Sequence, residues 1–199
     1  MLKNSGNNTK YNVHAVVAPS ISGQFAVPLG KVVSGLKELG FRSVMEAALG
    51  ADMVAFKEAS ELVEKGFLTS SCCPAFVKYI ETQFPDMKDK ISHNLSPMAE
   101  IARYMKKHEP NCKIVFIGPC TAKKAECKKE TVSPYIDNVI TFEELQALFD
   151  AKEVKLESLE SEPLDNASYY GRIFARSGGL SDAVANALKE MDIPDDVFK

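Results

Sequence analysis

The chain has 199 residues, 45% of them hydrophobic and 26% charged, and a net charge of −3. That length suits one large domain or two small ones, and the composition is that of a globular protein rather than a disordered or fibrous one. The near-neutral charge, with no long basic run, excludes nucleic acid as the main partner, and no apolar stretch approaches the roughly 20 residues of a membrane helix.

Met1 to Lys10 is polar and Asn-rich, with no apolar signal core, which points to a cytoplasmic protein. Asn12 to Ala18 is a β-branched run ending at Pro19 and predicts a buried strand. From about Phe25 to Leu39 apolar residues recur at helical spacing, with Val32, Val33, Leu36 and Leu39 on one face and Gly40 as the stop. Arg42 to Met45 predicts a second short strand. Asp52 is expected to cap a helix through Glu64, with Phe56, Ala59, Leu62 and Val63 as its apolar stripe. Phe67 to Ser70 predicts a third strand, which runs into Thr-Ser-Ser-Cys-Cys-Pro and a helix from Pro74 to Phe84. A loop at Ile91 to Ser96 precedes a helix opened by Pro97, and Lys113 to Ile117 predicts a fourth strand.

The alternation of strand and helix implies parallel pairing with right-handed crossovers. In such sheets the working site lies beyond the carboxyl ends of the strands, where Pro19, Cys72, Cys73 and Cys120 all fall. Further on, Val139 to Ile140 predicts a short strand, and Thr141 with Glu144 forms a capping box before Phe142 to Leu148. Residues 151–167 are acidic and irregular, Tyr170 to Gly179 is a Gly-bounded loop, and Leu180 to Met191 is an amphipathic helix. The expected fold is α/β. Residues 11–129 would form a lobe with a four-stranded, mostly parallel twisted sheet flanked by helices. Residues 130–199 would start a second, incomplete α/β lobe. That lobe is expected to leave Leu180, Val184, Ala187 and Leu188 exposed on the last helix and so to self-associate.

The five cysteines are Cys72, Cys73, Cys112, Cys120 and Cys127. An odd count in a chain read as cytoplasmic suggests metal ligation or redox chemistry rather than a disulfide framework. Two stretches stand out, since Cys73 and Cys120 each follow an apolar run and adjoin a proline, Pro74 and Pro119. A thiol at a helix start is favoured as thiolate by the helix dipole. No C-x-x-C occurs, so ordinary ferredoxin or zinc spacing is absent, and spacing alone favours buried free thiols over ligands.

Ser70-Ser71-Cys72-Cys73-Pro74 and Pro119-Cys120-Thr121-Ala122-Lys123-Lys124-Ala125-Glu126 resemble the first two signature motifs of the FeFe hydrogenases, T-S-C-C-P-x-W and M-P-C-x-x-K-x-x-E. The resemblance extends to Val17-Ala18-Pro19-Ser20, Gly50-Ala51-Asp52, Ser60-Glu61-Leu62, Ile91-Ser92, Ser96-Pro97, Asp137 to Thr141, and Ile173-Phe174 with Gly178-Gly179. It implies an iron–sulfur oxidoreductase that interconverts hydrogen with protons and electrons at a 4Fe–4S cluster bridged to a di-iron subcluster, together called the H-cluster. By the resemblance, Cys73 and Cys120 are two of the four cluster ligands and Cys72 is the thiol that passes protons to the di-iron half. Lys123 donates to a cyanide ligand, and Glu126, Ser92 and Glu61 form the outward proton relay. Ala18, Pro19, Pro97 and Phe174 wall the di-iron pocket.

The motif that supplies the other two cluster cysteines would lie beyond Lys199, so the chain reads as a fragment of a large subunit, truncated within its catalytic domain. Alone, the fragment is expected to lack the cofactor and to be inactive. The resemblance further implies ferredoxin or another iron–sulfur carrier as electron partner, and hydrogenase maturation proteins. Gly118 stands where the family has methionine, and Phe76 where it has tryptophan. Two other readings stay open: a hydrogen- or redox-sensing module, and a non-catalytic iron–sulfur scaffold. The retained Cys72, Lys123 and Glu126 weigh against the scaffold, which needs no proton relay.

Overall fold

Val-His-Ala-Val-Val at Val13–Val17 is buried at every position and forms β1, a central strand of a parallel sheet, as a continuous apolar run should. In the computed structural model, which describes residues 10–193, four strands pair in the order β2-β1-β3-β4, with β2 at Ser43–Glu46, β3 at Lys113–Ile117 and β4 at Asn138–Ile140. All three pairings are parallel. The α/β class and the four-stranded parallel sheet flanked by helices are as the sequence predicts. The polar stretch before Lys10, taken above as lacking a signal core, lies outside the described residues.

One strand is not where the periodicity put it. Phe67 to Ser70 joins no sheet and makes a single parallel bridge, Thr69 to Ile91. Phe67 is 51% exposed, whereas strands of a two-faced parallel sheet are buried throughout. Its place is taken by β4, expected in a separate lobe, which pairs Val115 with Asn138 and Ile117 with Ile140.

The described residues form two compact units that interleave along the sequence: residues 10–47 with 101–166, and 48–100 with 167–193. The division at 129/130 expected above differs from this one, because β4 belongs with the sheet and the C-terminal helices belong with the segment around the double cysteine. The first unit holds the sheet, α1 (Leu29–Glu38), α5 (Ala122–Glu126) and α6 (Phe142–Ala151), with Val16, Leu36, Ile114, Leu145 and Phe149 in its core. The capping box at Thr141 and Glu144 forms as the sequence predicts.

The second unit is built on α2 (Ala47–Lys65), α3 (Pro74–Gln83), α7 (Tyr169–Ile173) and α8 (Gly179–Glu190), and α4 (Pro97–His108) begins in it. The start of α2 is five residues earlier than expected, since Ala47 and Ala48 are strong helix formers. Asp52 therefore sits inside the helix, where it accepts hydrogen bonds from the Ser168 N–H (2.9 Å) and Oγ (2.5 Å). Ser168 caps α7, a helix within the expected loop. A Cβ on Gly171 would stand 2.3 Å from the Ala48 carbonyl oxygen, so only glycine allows α7 this close to α2.

The expectation of an uncovered last helix fails. Ala183, Val184 and Ala187 of α8 pack with Ala51, Val54, Ala55 and Ala59 of α2, and Leu180 and Leu188 are partly buried against the same cluster. Alanines on both faces bring the helices close enough for this without any further strand. Burial of a side chain such as Val184 contributes about 1.5–3 kcal/mol.

Candidate functional site

In the second unit the double-cysteine loop is held from several sides. Thr69 N–H donates to Lys90 O and Ser92 N–H to Thr69 O, each at 2.7 Å. Ser71 Oγ donates to Asn94 O at 2.5 Å. Cys73 then caps α3, its Sγ accepting the Phe76 N–H at 3.4 Å, with Pro74 in the first turn. Cys73 is exposed, while Cys72 is half-buried against the α2–α8 cluster.

Behind Cys72 lies a string of hydrogen bonds. The Cys72 N–H donates to Ser70 Oγ at 3.2 Å, and Ser70 Oγ donates to Glu58 Oε1 at 2.7 Å. Ser92 lies near enough to Glu58 to lower its pKa slightly, and its Oγ donates to Glu61 Oε2 at 2.8 Å. Glu61 receives Lys65 Nζ at 2.7 Å and lies 3.2 Å from Nδ1 of His93, whose side chain is 77% exposed. Glu58 and Glu61 share one face of α2 because they are three residues apart.

The two carboxyls are tuned in opposite directions. Burial raises the pKa of Glu58, and the bonds from Ser70 and the Ser71 N–H offset this only in part. Burial also pushes Glu61 up, but the bonds from Lys65, Ser92 and the His93 N–H outweigh it and hold Glu61 below the usual carboxyl range.

In the first unit, Ala18 ends the strand region with its N–H on Ile117 O at 2.9 Å, and Pro19 opens a 3-10 turn. Half-buried Cys120 lies in the loop between β3 and α5. Lys123 Nζ bonds Glu126 Oε2 at 2.7 Å, with both side chains nearly withdrawn from solvent (13% and 6% exposed). A Cβ on Gly118 would meet the Phe116 ring at 2.7 Å and Ala18 Cβ at 3.2 Å, so Phe116 and Ala18 fill the space a methionine would need.

The residues named from the sequence thus fall into local groups. The second unit joins Ser92 to Glu61, and the first joins Lys123 to Glu126. Pro97 opens α4 and is half-buried, and Phe174 belongs to the α2–α8 cluster. The carboxylate of Glu126 is held by Lys123, whereas the acid near Ser92 and Glu61 is Glu58, which the sequence reading passed over. The available signal was the E-x-x-E spacing at Glu58 and Glu61, both reaching toward serines of other segments. Among the described residues, no helix is long and apolar enough to cross a membrane.

Parallel α/β topology with two thiol-bearing loops, one thiol capping a helix, suits a protein of the iron–sulfur class. The iron-only hydrogenase large subunit, C-terminal domain, matches residues 11–197, and the chain belongs to that family. It is 31% identical to iron hydrogenase 1 of Clostridium pasteurianum over 220 residues, which cover 95% of this chain and 38% of that protein. It is also 31% identical, over 98 residues, to the cytosolic Fe-S cluster assembly factor NAR1 of Kluyveromyces lactis, covering 49% of this chain and 21% of that protein. Its fold matches the apo FeFe hydrogenase HydA1 of Chlamydomonas reinhardtii with a TM-score of 0.68 and 26% identity, covering 80% of this chain and 48% of that one. The chain therefore spans less than half the length of each of these relatives.

Proposed function

We propose that the chain contributes to a hydrogenase catalytic domain that interconverts hydrogen with protons and electrons. The observation that carries this is the run of polar groups behind Cys72, in which Ser70 bonds Glu58 and the neighbouring Ser92 bonds Glu61 beside exposed His93. A purely structural buried carboxyl is better replaced by an apolar residue, whereas a proton path needs groups that both take and give protons.

The thiols fit an iron–sulfur group, since sulfur is its natural donor and Cys73 is exposed at the start of α3. In this reading Cys73 and Cys120 each give a thiolate to the 4Fe–4S part. When bound, the H-cluster supplies the electrons and the metal at which hydrogen is made or split. Cys72 would be the thiol that gives protons to that site and takes them from it. Glu58, its pKa raised by burial, would take up the proton, and the Ser92 hydroxyl would turn between Glu58 and Glu61 to pass it on. Glu61, lowered by Lys65, releases it at the surface beside His93. Glu126 fixes the Lys123 ammonium, which would face a negatively charged ligand of the cluster. Pairing with Lys123 makes Glu126 a positioning residue in this proposal rather than a member of the relay. Ala18, Pro19, Pro97 and Phe174 would exclude water. An iron–sulfur carrier such as ferredoxin would exchange electrons in the cytoplasm, after maturation proteins had built the group.

The test is hydrogen evolution from a strong reductant, first by the chain alone after anaerobic reconstitution with iron, sulfide and a di-iron precursor, then within a complete hydrogenase large subunit. We expect no sustained turnover from the chain alone, because Cys73 and Cys120 supply two of the four thiolates a cubane needs. The large subunit should turn over. A large subunit that holds its clusters yet makes no hydrogen would favour the second reading, an iron–sulfur scaffold, which the similarity to the assembly factor supports.

A further inference from the structure

At the amino-terminal edge of the sheet, in the first unit, three unlike donors meet. His14 from β1, Glu109 just after α4 and Cys112 just before β3 present Nε2, a carboxylate oxygen and Sγ, all within 4.8 Å of one another. His14 and Cys112 are 98 positions apart, so no local spacing links them. Parallel pairing of β1 with β3, His14 beside Ile114, brings them together.

We propose that His14, Glu109 and Cys112 bind one divalent transition-metal ion, with zinc the best fit. One nitrogen, one oxygen and one sulfur are the donor types zinc accepts, and three protein ligands leave a fourth position for water. With metal–nitrogen and metal–oxygen bonds of about 2.0–2.1 Å, a tetrahedral ion sets those two ligands about 3.4 Å apart. His14 Nε2 and Glu109 Oε2 already lie 3.0 Å apart, so an ion enters with a small outward movement.

The surroundings hold the donors in place as metal sites require. Ser43 Oγ bonds His14 Nδ1 at 2.7 Å, which leaves Nε2 to face the other ligands. Asn12 Nδ2 donates to Glu109 Oε1 at 2.7 Å, leaving Oε2 for the ion. The Cys112 N–H on Glu109 O, at 3.1 Å, fixes the turn that carries both. His14 and Cys112 are buried while Glu109 is partly exposed, which gives an ion an entry side. Lys106 reaches the Cys112 carbonyl at 2.6 Å, and its charge is balanced by Asp137 at 3.0 Å. Binding displaces the Cys112 proton to solvent and forms the metal–sulfur bond, with no change in oxidation state. The ion would tie β1 to the α4–β3 turn, independently of the hydrogenase reading.

The test is cobalt(II) and zinc titration of the full chain with Cys72, Cys73, Cys120 and Cys127 replaced by serine, so that the other thiols cannot answer. We expect one equivalent of metal, a thiolate-to-cobalt charge-transfer band, and a rise in the unfolding midpoint with zinc. Ser43→Ala should weaken binding by about 10-fold or more, as loss of a supporting bond does. Cys112→Ser should abolish the band. Glu109→Gln, on the partly exposed ligand, guards against a folding defect and should weaken binding while leaving the circular dichroism unchanged. Absence of binding by the four-serine chain, or binding that Glu109→Gln and Cys112→Ser leave unchanged, would overturn the proposal.

Discussion

Glu58→Gln is the sharpest perturbation of the proposed proton path. Glu58 is 2% exposed, so bulk water cannot readily take over its part. The amide keeps the size of the side chain and can still accept from Ser70 Oγ, which donates at 2.7 Å, so the fold should change by no more than about 1 kcal/mol. What it loses is the proton. A positioned acid–base group contributes about 100- to 10,000-fold, so hydrogen turnover in a complete large subunit should fall at least about 100-fold, near 2.7 kcal/mol of barrier.

The same variant has a signature in the isolated chain. The carboxyl of Glu58 is raised above its ordinary 4.5 in the fold, so its contribution to stability is fully present below that value. It is lost as pH rises through the folded pKa, where the charge must be buried. Urea unfolding across pH should therefore show the Glu58→Gln variant gaining on the wild type as pH rises. Turnover within twofold of wild type at equal iron content would remove Glu58 from the path. A stability gap that moves the other way would refute the tuning.

Asp137→Ala removes an acceptor shared by Lys106 (3.0 Å), Lys113 (2.7 Å) and the Ile114 N–H (2.9 Å), and should cost about 2–3 kcal/mol in urea unfolding at neutral pH. Burial raises the Asp137 pKa but the Lys113, Ile114 and Lys106 bonds outweigh it, so the wild-type advantage should shrink as pH falls through the lowered folded value; a gap independent of pH would refute this. Gly171→Ala places a methyl 2.3 Å from the Ala48 carbonyl oxygen and 2.6 Å from Asp52 Oδ1, and should lower stability by about 1–3 kcal/mol; an unchanged melting midpoint would contradict the close approach. Cys73→Ser keeps an N-cap acceptor for Phe76, so helix content should hold while iron retained after anaerobic reconstitution drops steeply; unchanged iron would exclude Cys73 as a ligand.

The apolar runs at Val13–Val17 and Lys113–Ile117, and the capping box at Thr141, were legible in the sequence because each encodes its structure locally. The two cysteine motifs were legible as loops at element ends, since proline and thiol adjoin in the chain, and their resemblance pointed to the family the chain belongs to. Phe67 to Ser70 misled because a short apolar run looks alike whether it joins a sheet or makes one bridge. Only the available partners decide, and β4 took the place beside β3. The covering of α8 depended likewise on small residues of α2, more than a hundred positions away. Glu58 reads in sequence as one more solvated helix acid, and only the tertiary structure buries it and hydrogen-bonds it to Ser70. His14, Glu109 and Cys112 have no spacing to betray them, because what joins them is a parallel strand pairing, and a crossover connection leaves no local mark on the residues it brings together.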